Sequence, residues 1–392
     1  MKLLVFSDTH FGFGSGTERE TEAFDCVQEA LRQHVDAVLI AGDLFDGKTP
    51  SSEILAKTME SLLPTVFSNQ TARVTEGIQK DLATVPQLAF LGTPVITIAG
   101  NHERRAKGLL NPVQLLERAG FVFHLHGNAL VLEKNSERVV IHGLSGLPNH
   151  LAPAVFKEWN PKPLPDAFNI LLFHQTLTPL FFAPNGFAMD QLPPGFDLYL
   201  CGDIHEAKQA TFDGKPLLVP GSVIHTQLGK DARERKKYWI IETQGKDCTI
   251  EPHEFEEQRD FYLIEDNVEA QLALLAAQKH TKKPLVRVKL PKNHPLPMQR
   301  LKEQYQEQFL LSFRHTEGKP IEETGVSLDD QRLSVQQLGK ALLTAHFEKG
   351  MLDTDRAHQL FELLAEGKTE QAVQLLEQTG IRRTDLKEQT KG

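Results

Sequence analysis

Five short polar motifs in this chain each follow an apolar run, and they carry carboxylate, imidazole and amide side chains. They are Asp8-Thr9-His10, Gly42-Asp43, Gly100-Asn101-His102-Glu103, Phe173-His174-Gln175 and Gly202-Asp203-Ile204-His205. Carboxylate, imidazole and amide groups are better ligands for manganese or magnesium ions than soft thiolates are. Two divalent ions held about 3.5–4 Å apart can clamp the oxygens of an in-line displacement at phosphorus. The residue types therefore predict a two-metal phosphoesterase site, with Asp43 as the natural bridging carboxylate.

Each motif taken alone also has a simpler interpretation. Asp8 and His10 could form a capping turn, and His174 could be a hydrogen-bonded core histidine. Asp203 and His205 could pair within a loop. Five such motifs in one order, each at a strand end, are hard to reconcile with independent accidents, so the combination favours a metal site.

The apolar runs predict strands that are buried on both faces. They span residues 2–6, 37–41, 94–99, 169–173 and 197–201. Because the carboxyl ends of such strands meet at one edge of a layered α/β fold, residues far apart in sequence can share a cleft there. Apolar spacing predicts helices between residues 16 and 34, over 51–63 and over 76–91, and the proline-rich segment 148–165 is typical of a loop.

The order of the motifs resembles that of the calcineurin-like metallophosphoesterases. In detail it is similar to their DNA-repair branch, the SbcD family of double-strand-break exonucleases. The similarity is carried by residues 7–12, 41–46, 100–103 and 219–222, and it covers about residues 1–245. It implies an α/β fold, a four-layer αββα sandwich, followed by a small α/β capping domain and C-terminal helices.

The resemblance also implies a role for each motif residue. The first ion would be held by Asp8, His10 and His205, and the second by Asn101, His174 and Asp203, with Asp43 bridging two divalent ions, for which we expect Mn²⁺. His102 would face the scissile phosphate and stabilise or protonate the leaving oxygen, oriented by Asp46 or Glu103.

One residue departs from the family pattern. The last motif is usually Gly-His-x-His, whereas Asp203 stands where the first histidine is expected. A carboxylate can still bind a hard divalent ion, but the affinity of the second site and full nuclease activity are then in question. If Asp203 faced away, the second ion would be lost.

The net charge of −9, from 52 acidic and 43 basic residues, counts against a nucleic-acid enzyme unless local patches bind the DNA. Candidate contacts are Arg104, Arg105 and Lys107 after the third motif, and Lys282, Lys283, Arg287 and Lys289 in a segment free of acids. Alternation of Arg287 and Lys289 with aliphatic residues predicts a strand with one basic face. A charged edge strand protected from aggregation would show the same pattern.

The chain divides into a predicted nuclease domain (1–253), a capping, DNA-binding domain (254–315), a linker (316–327) and a helical region (328–392). Leucine stripes in the last region exceed what short helices can bury among themselves, so a partner could cover them. The resemblance implies an SbcC-like ABC-type ATPase with a coiled coil; a helical hairpin folded on the cap is the alternative. In that family, helices near residues 51–91 pair two subunits into a homodimer. Such a face could be formed by Ile54, Leu55, Met59 and Leu62, which could equally pack on the sheet.

The three cysteines lack paired spacing, which favours a reducing compartment, and no run approaches the ~20 apolar residues of a membrane span. We therefore expect a cytoplasmic protein that does not contact membranes. The predicted function is metal-dependent exonuclease or endonuclease hydrolysis of DNA phosphodiester bonds, as the nuclease subunit of an SbcCD-type repair complex. A small-molecule phosphodiesterase or phosphatase, and a catalytically weak DNA-binding scaffold, are the alternatives.

Overall fold

The computed structural model describes residues 1–106, 108–183, 186–228, 234–291 and 298–316. The chain divides after residue 318, and every described residue lies in the first unit. Lys107, nearly all of the predicted linker and the predicted helical region 328–392 therefore lie outside the described residues.

The described residues contain more strands than helices. The first strands are β1 (Lys2–Phe6), β2 (Ala37–Ile40), β3 (Arg73–Ile78), β4 (Val95–Thr97), β5 (Phe123–His124), β6 (Asn128–Lys134), β7 (Glu137–Leu144), β8 (Phe168–His174) and β9 (Leu177–Thr178). The others are β10 (Phe187–Ala188), β11 (Leu198–Gly202), β12 (Lys208–Phe212), β13 (Lys215–Val219), β14 (Lys237–Gln244), β15 (Asp247–Glu254), β16 (Phe261–Ile264), β17 (Leu285–Pro291) and β18 (Leu310–Thr316). The α-helices are α1 (Glu22–Ala30), α2 (Ser52–Val66), α3 (Pro112–Arg118), α4 (Ala152–Trp159), α5 (Val268–Ala276) and α6 (Met298–Tyr305).

Two mixed sheets form the core of the described part of the chain. One has six strands in the order β15-β14-β1-β2-β4-β5, and the other has seven in the order β12-β13-β11-β8-β7-β6-β3. Within the first, β1, β2, β4 and β5 run parallel; within the second, β7, β8, β11 and β13 do. The strands predicted before the five motifs are all confirmed.

The sheets pack face to face and carry helices on their outer faces. In β1, Leu3 and Val5 belong to the core between the sheets, whereas Leu4 and Phe6 pack with the residues of the outer helices. This alternation follows from the two-residue period of a strand. Helices α1, α2 and α3 contribute to the outer core of the first sheet and α4 to that of the second. The predicted αββα sandwich is confirmed.

Two predicted local structures are wrong. The helix expected over residues 76–91 is instead β3 followed by two 3₁₀ turns, Leu82–Thr84 and Gln87–Phe90. Pro86 interrupts helical hydrogen bonding, and β3 gains ladder bonds by pairing with β6. The loop expected over residues 148–165 contains α4, because its Pro153 lies in the first helical turn, where a missing N–H costs nothing.

A three-stranded parallel sheet with two helices follows the sandwich, in the order β16-β17-β18. Val286, Val288 and Leu290 of β17 are buried with α5 and α6, while Arg287 and Lys289 occupy the alternate positions. The predicted basic face is thus present. Since β17 is the central strand, the edge-strand interpretation of this segment is wrong. The domain boundaries drawn from the sequence stay predictions.

Asp36 joins the two large sheets at the edge opposite the motifs. Its buried carboxylate accepts hydrogen bonds from the Lys2 amide at 2.8 Å and from the Thr71 hydroxyl at 2.5 Å. It also forms an ion pair at 2.8 Å with Lys134, at the end of β6.

We expect Asp36→Ala to lower the free energy of unfolding by about 1–3 kcal/mol, because it removes a buried carboxylate that accepts from three partly buried donors. Urea unfolding measures this as a lower midpoint with an unchanged slope. Asp247→Ala, which removes an exposed carboxylate of β15, is the matched control and should change stability by less than about 0.5 kcal/mol. Equal midpoints for the two variants would contradict the role given to Asp36.

Candidate metal centre

The five motifs converge at one edge shared by both large sheets. Asp8, Asp43 and Asn101 follow β1, β2 and β4 of the first sheet, whereas His174, Asp203 and His205 end or follow β8 and β11 of the second. Among the described residues, three groups of side chains have ligand atoms within 4.8 Å of one another: Asp8, His10 and His205; His10, Asp43 and His102; and Asp8, Asp43 and His174. Both sheets are therefore needed to build the site.

Glycines and unusual backbone angles make room for these side chains. A Cβ at Gly42 would lie 2.4 Å from Nδ1 of His174, and one at Gly100 would lie 2.1 Å from Oδ1 of Asp43. Asp43 and Asp203 themselves have left-handed φ angles of 47° and 91°. Non-glycine residues adopt this region at a cost, and such strain often accompanies functional sites.

The first candidate position is bounded by Asp8, His10 and His205. The Nε2 atoms of the two histidines lie 3.0 Å apart, and Nε2 of His205 is 3.7 Å from Oδ1 of Asp8. The other nitrogen of each ring has a polar neighbour: Nδ1 of His205 contacts the Thr226 hydroxyl at 2.7 Å, and Nδ1 of His10 lies 3.2 Å from Oδ1 of Asp46. Such contacts orient imidazoles toward an ion.

Burial, together with the nearby His10, lowers the pKa of His205 to about 3. The imidazole is therefore neutral and keeps the lone pair that a metal ligand needs.

The second candidate position is bounded by His174, Asp43 and Asp203. Nδ1 of His174 donates to the carbonyl of Ala41 at 2.8 Å, which leaves Nε2 directed at Oδ2 of Asp43, 3.4 Å away, and Oδ1 of Asp203, 3.7 Å away. Asp203 therefore faces into the site.

Two polar side chains fix the Asp203 carboxylate. The Thr176 hydroxyl donates to Oδ2, and the amide of Asn101 contacts Oδ1 at 2.5 Å. A half-turn of the Asn101 amide exchanges its nitrogen and oxygen, so this side chain can also present an oxygen to an ion. The donor set here is thus rich in oxygen.

Electrostatics favour a cation among these side chains. Burial raises the pKa of Asp8 to about 6. Burial works in the same direction on Asp43, yet the adjacent His174 brings the pKa of Asp43 below its ordinary value. Among the described residues, Oδ1 of Asp8 and Nε2 of His174 are buried without a hydrogen-bond partner. Since buried polar atoms are nearly always paired, the residues fit a pair of divalent ions that would satisfy them.

His102 lies at the solvent side of the cluster, with its side chain 44% exposed. Its Nδ1 contacts the main-chain carbonyl of Asp46 at 2.8 Å, and Nε2 lies 4.0 Å from Oδ2 of Asp43. Asp46 thus meets His102 through its backbone, while its carboxylate lies beside His10.

The Glu103 carboxylate hydrogen-bonds to other groups than the His102 ring. This fully buried carboxylate accepts hydrogen bonds from the amides of Phe45 and Gly100, each at 2.6 Å. It therefore ties the loop after β2 to the loop after β4, and burial raises its pKa to about 7. The sequence did not predict that Glu103 links these two loops, or that the hydroxyls of Thr176 and Thr226 contact site residues. Of these residues, only Thr176 could have been suspected from the sequence, because it lies two residues after His174.

The predicted DNA-binding residues fall into two groups. Arg104 and Arg105 are exposed beside the site, and Arg105 donates to the carbonyl of Leu110 at 3.2 Å. The second group contacts protein: Lys282 pairs with Asp25 at 3.0 Å and Glu257 at 2.8 Å, Lys283 with Glu18 at 2.8 Å, Lys289 with Glu265 at 3.3 Å, and Arg287 donates to the carbonyl of Leu228 at 2.8 Å. DNA contacts by either group stay predictions.

We expect Gly100→Ala to weaken divalent-ion binding by about 10-fold or more, because its methyl group would displace the carboxylate of Asp43. Isothermal titration with Mn²⁺ measures the effect. Gly47→Ala is the matched control, since a Cβ at Gly47 meets no atom within 4 Å. Wild-type affinity in the Gly100 variant would show that Asp43 does not bind the ion.

Comparison with known proteins supports this arrangement. The calcineurin-like phosphoesterase family model matches residues 1–207. The chain is 28% identical over 272 residues to the double-strand break repair protein MRE11 of Encephalitozoon cuniculi, covering 64% of this chain and 47% of that protein. It is 27% identical over 301 residues to the DNA double-strand break repair protein Mre11 of Methanopyrus kandleri, covering 68% and 59%.

The human double-strand break repair protein MRE11 is 24% identical over 300 residues, covering 67% of this chain and 42% of that protein. The chain thus spans about half the length of these relatives. Their names confirm the predicted resemblance to the double-strand-break repair branch. With its motifs gathered at one sheet edge and more than half of its length matched, the chain belongs to the calcineurin-like phosphoesterase family.

Proposed function

We propose that this protein is a two-metal phosphodiesterase that hydrolyses DNA, acting as a DNA-repair nuclease. The observation that carries the proposal is the Asp43 carboxylate, which lies between ligands from both sheets, 3.4 Å from Nε2 of His174 and within 4.8 Å of ligand atoms of Asp8 and His10. When bound there, two divalent ions supply Lewis acidity and neutralise charge during displacement at phosphorus.

His102 is the proton donor in this proposal. Water adds at phosphorus as the P–O ester bond breaks, and the leaving oxygen takes a proton from Nε2 of protonated His102. The attacking water releases a proton to solvent, from which His102 is reprotonated for the next turnover. The contact between Nδ1 and the Asp46 carbonyl supports this, because it holds the ring with Nε2 free. An imidazole can give and take protons near neutral pH.

We infer that Mn²⁺ is the working ion. The proposed second position offers oxygens from Asp43, Asp203 and Asn101 with one nitrogen from His174, and the first mixes carboxylates with imidazoles. Oxygen-rich sets with some imidazole suit Mn²⁺, whereas thiolate sets suit zinc. Asp203 would therefore replace a histidine without loss of the second ion.

DNA is favoured over a small diester by the names of the three relatives described above, each of which is a double-strand break repair protein. The exposed Arg104 and Arg105, on the loop after His102, could contact the phosphates that flank the scissile bond. A small-molecule phosphodiesterase and a weakly active scaffold are the competing functions.

The proposals for the domains, the protein partner and the location rest on the resemblance to the SbcD family. We propose the domain plan 1–253, 254–315, 316–327 and 328–392, an SbcC-like ABC-type ATPase as partner of the last region, and a cytoplasmic location. Among the described residues, no helix is long and apolar enough to cross a membrane.

A homodimer formed through α2 is also part of the proposal. Ile54 and Leu62, expected on the dimer face, are buried in the outer core of the first sheet. Leu63 and Phe67, however, are 39% and 77% exposed, and they offer apolar surface for a second subunit.

A nuclease assay tests the proposed function. The full chain should degrade linear and hairpin DNA with Mn²⁺ and lose this activity with a chelator. Cleavage of a small chromogenic diester without any cleavage of DNA would support the small-molecule alternative, and DNA binding without hydrolysis would support the scaffold.

We expect His102→Ala to lower turnover by about 10²-fold while binding the same number of Mn²⁺ ions, because the residue protonates the leaving oxygen without ligating an ion. Steady-state kinetics and metal analysis of one preparation measure both quantities. His126→Ala, a histidine outside the site, is the control. A lower metal content in the His102 variant would assign this residue to the ligands.

A further inference from the structure

Arg287, in the central strand of the small sheet, bonds to the main chain of the sandwich. One terminal nitrogen of its guanidinium donates to the carbonyl of Leu228 at 2.8 Å, and Nε contacts the Ser312 hydroxyl at 3.3 Å. The side chain is partly buried, and no ion pair with a carboxylate is present among the described residues. Its charge is thus directed at a carbonyl, where a charge-assisted hydrogen bond is strong.

The segment that receives this bond also contacts a metal ligand. Thr226, two residues before Leu228, places its hydroxyl 2.7 Å from Nδ1 of His205. Two residues span at most about 7 Å, so the carbonyl of Leu228 and the hydroxyl of Thr226 belong to one short stretch of backbone. Two hydrogen bonds, one at each end of residues 226–228, therefore connect the Arg287 guanidinium to the His205 imidazole.

The residues before Thr226 hold the segment rigidly. Val223 and Ile224 are fully buried, the Ser222 amide donates to the carbonyl of His205 at 3.2 Å, and Arg19 donates to the carbonyl of His225 at 2.7 Å. Among the described residues of the small sheet, Arg287 is the one whose side chain hydrogen-bonds to Leu228. Loss of that bond would free the end of the segment nearest to Thr226.

We propose that Arg287 is a positioning residue for the metal centre: by holding the Leu228 carbonyl, it keeps the Thr226 hydroxyl on Nδ1 of His205, so that Nε2 points at the first ion. The small sheet then sets the geometry of the first metal position. The inference rests on the proposed function, since it assumes that His205 binds an ion. It differs from the expectation that Arg287 contacts DNA phosphate.

Full-length variants separate the two roles. Arg287→Met removes the guanidinium and keeps much of the aliphatic chain, and Thr226→Val removes the hydroxyl while keeping the shape. Arg314→Met is the matched control, because it removes the same charge from an exposed site on the neighbouring strand β18. Mn²⁺ affinity at each site, hydrolysis of bis(p-nitrophenyl) phosphate, and DNA affinity as a function of salt are measured for each.

We expect Arg287→Met and Thr226→Val each to weaken one of the two Mn²⁺ sites by about 10-fold, as is typical when a partner of a ligand is lost. Turnover of bis(p-nitrophenyl) phosphate should fall in both variants as Mn²⁺ binding weakens. The double variant should be no weaker than the single variants, because both changes release the same imidazole. Thr226→Ser should restore affinity, and Arg314→Met should not alter it.

Unchanged Mn²⁺ affinity in Arg287→Met, with weaker DNA binding and a smaller salt dependence, would overturn the inference and make Arg287 a phosphate contact. Equal weakening of both ion sites with a lower melting temperature would also overturn it, since that is the result of general destabilisation. Failure of the proposed function is distinct, because the parent protein itself would then bind no Mn²⁺ or cleave no DNA.

Discussion

The constraint on which this structure depends is the gathering of Asp8, Asp43 and Asp203 at one buried edge. Carboxylates so close repel one another and lose hydration, which is costly unless positive charge compensates. Imidazoles supply part of that charge: His174 brings the pKa of Asp43 below its ordinary value against the effect of burial. A pair of divalent ions would supply the positive charge in place of the imidazole proton and satisfy the unpaired buried atoms of Asp8 and His174.

Much of the local architecture serves to hold this unfavourable cluster. Gly42 and Gly100 leave space that a methyl group would fill, and Glu103 ties two ligand-bearing loops together. Thr176 and Thr226 restrict the side chains that come from the second sheet. Because ligands arrive from two sheets, the packing of the core between them determines the distances within the site.

The sandwich and most ligand positions could be predicted because their signals are local: an apolar run predicts a strand, and a polar motif after it predicts a place on the sheet edge. The helix expected over residues 76–91 failed because β3 depends on a partner, β6, far along the chain. Glu103 was expected to orient His102 because the two are adjacent in sequence. In the fold its carboxylate instead accepts hydrogen bonds from the amides of Phe45 and Gly100. Likewise, the segment around Lys282 contains no acidic residue, so its sequence does not indicate that folding pairs Lys282 with Asp25 and Glu257.

The most direct test of the central claim is a crystal structure of the Mn²⁺ complex with anomalous scattering at the manganese edge. Two peaks about 3.5–4 Å apart are expected. The Asp43 carboxylate should lie between them, with Asp8, His10 and His205 at one and Asn101, His174 and Asp203 at the other. A single peak, or a second peak out of reach of Asp203, would contradict the two-metal site that spans both sheets.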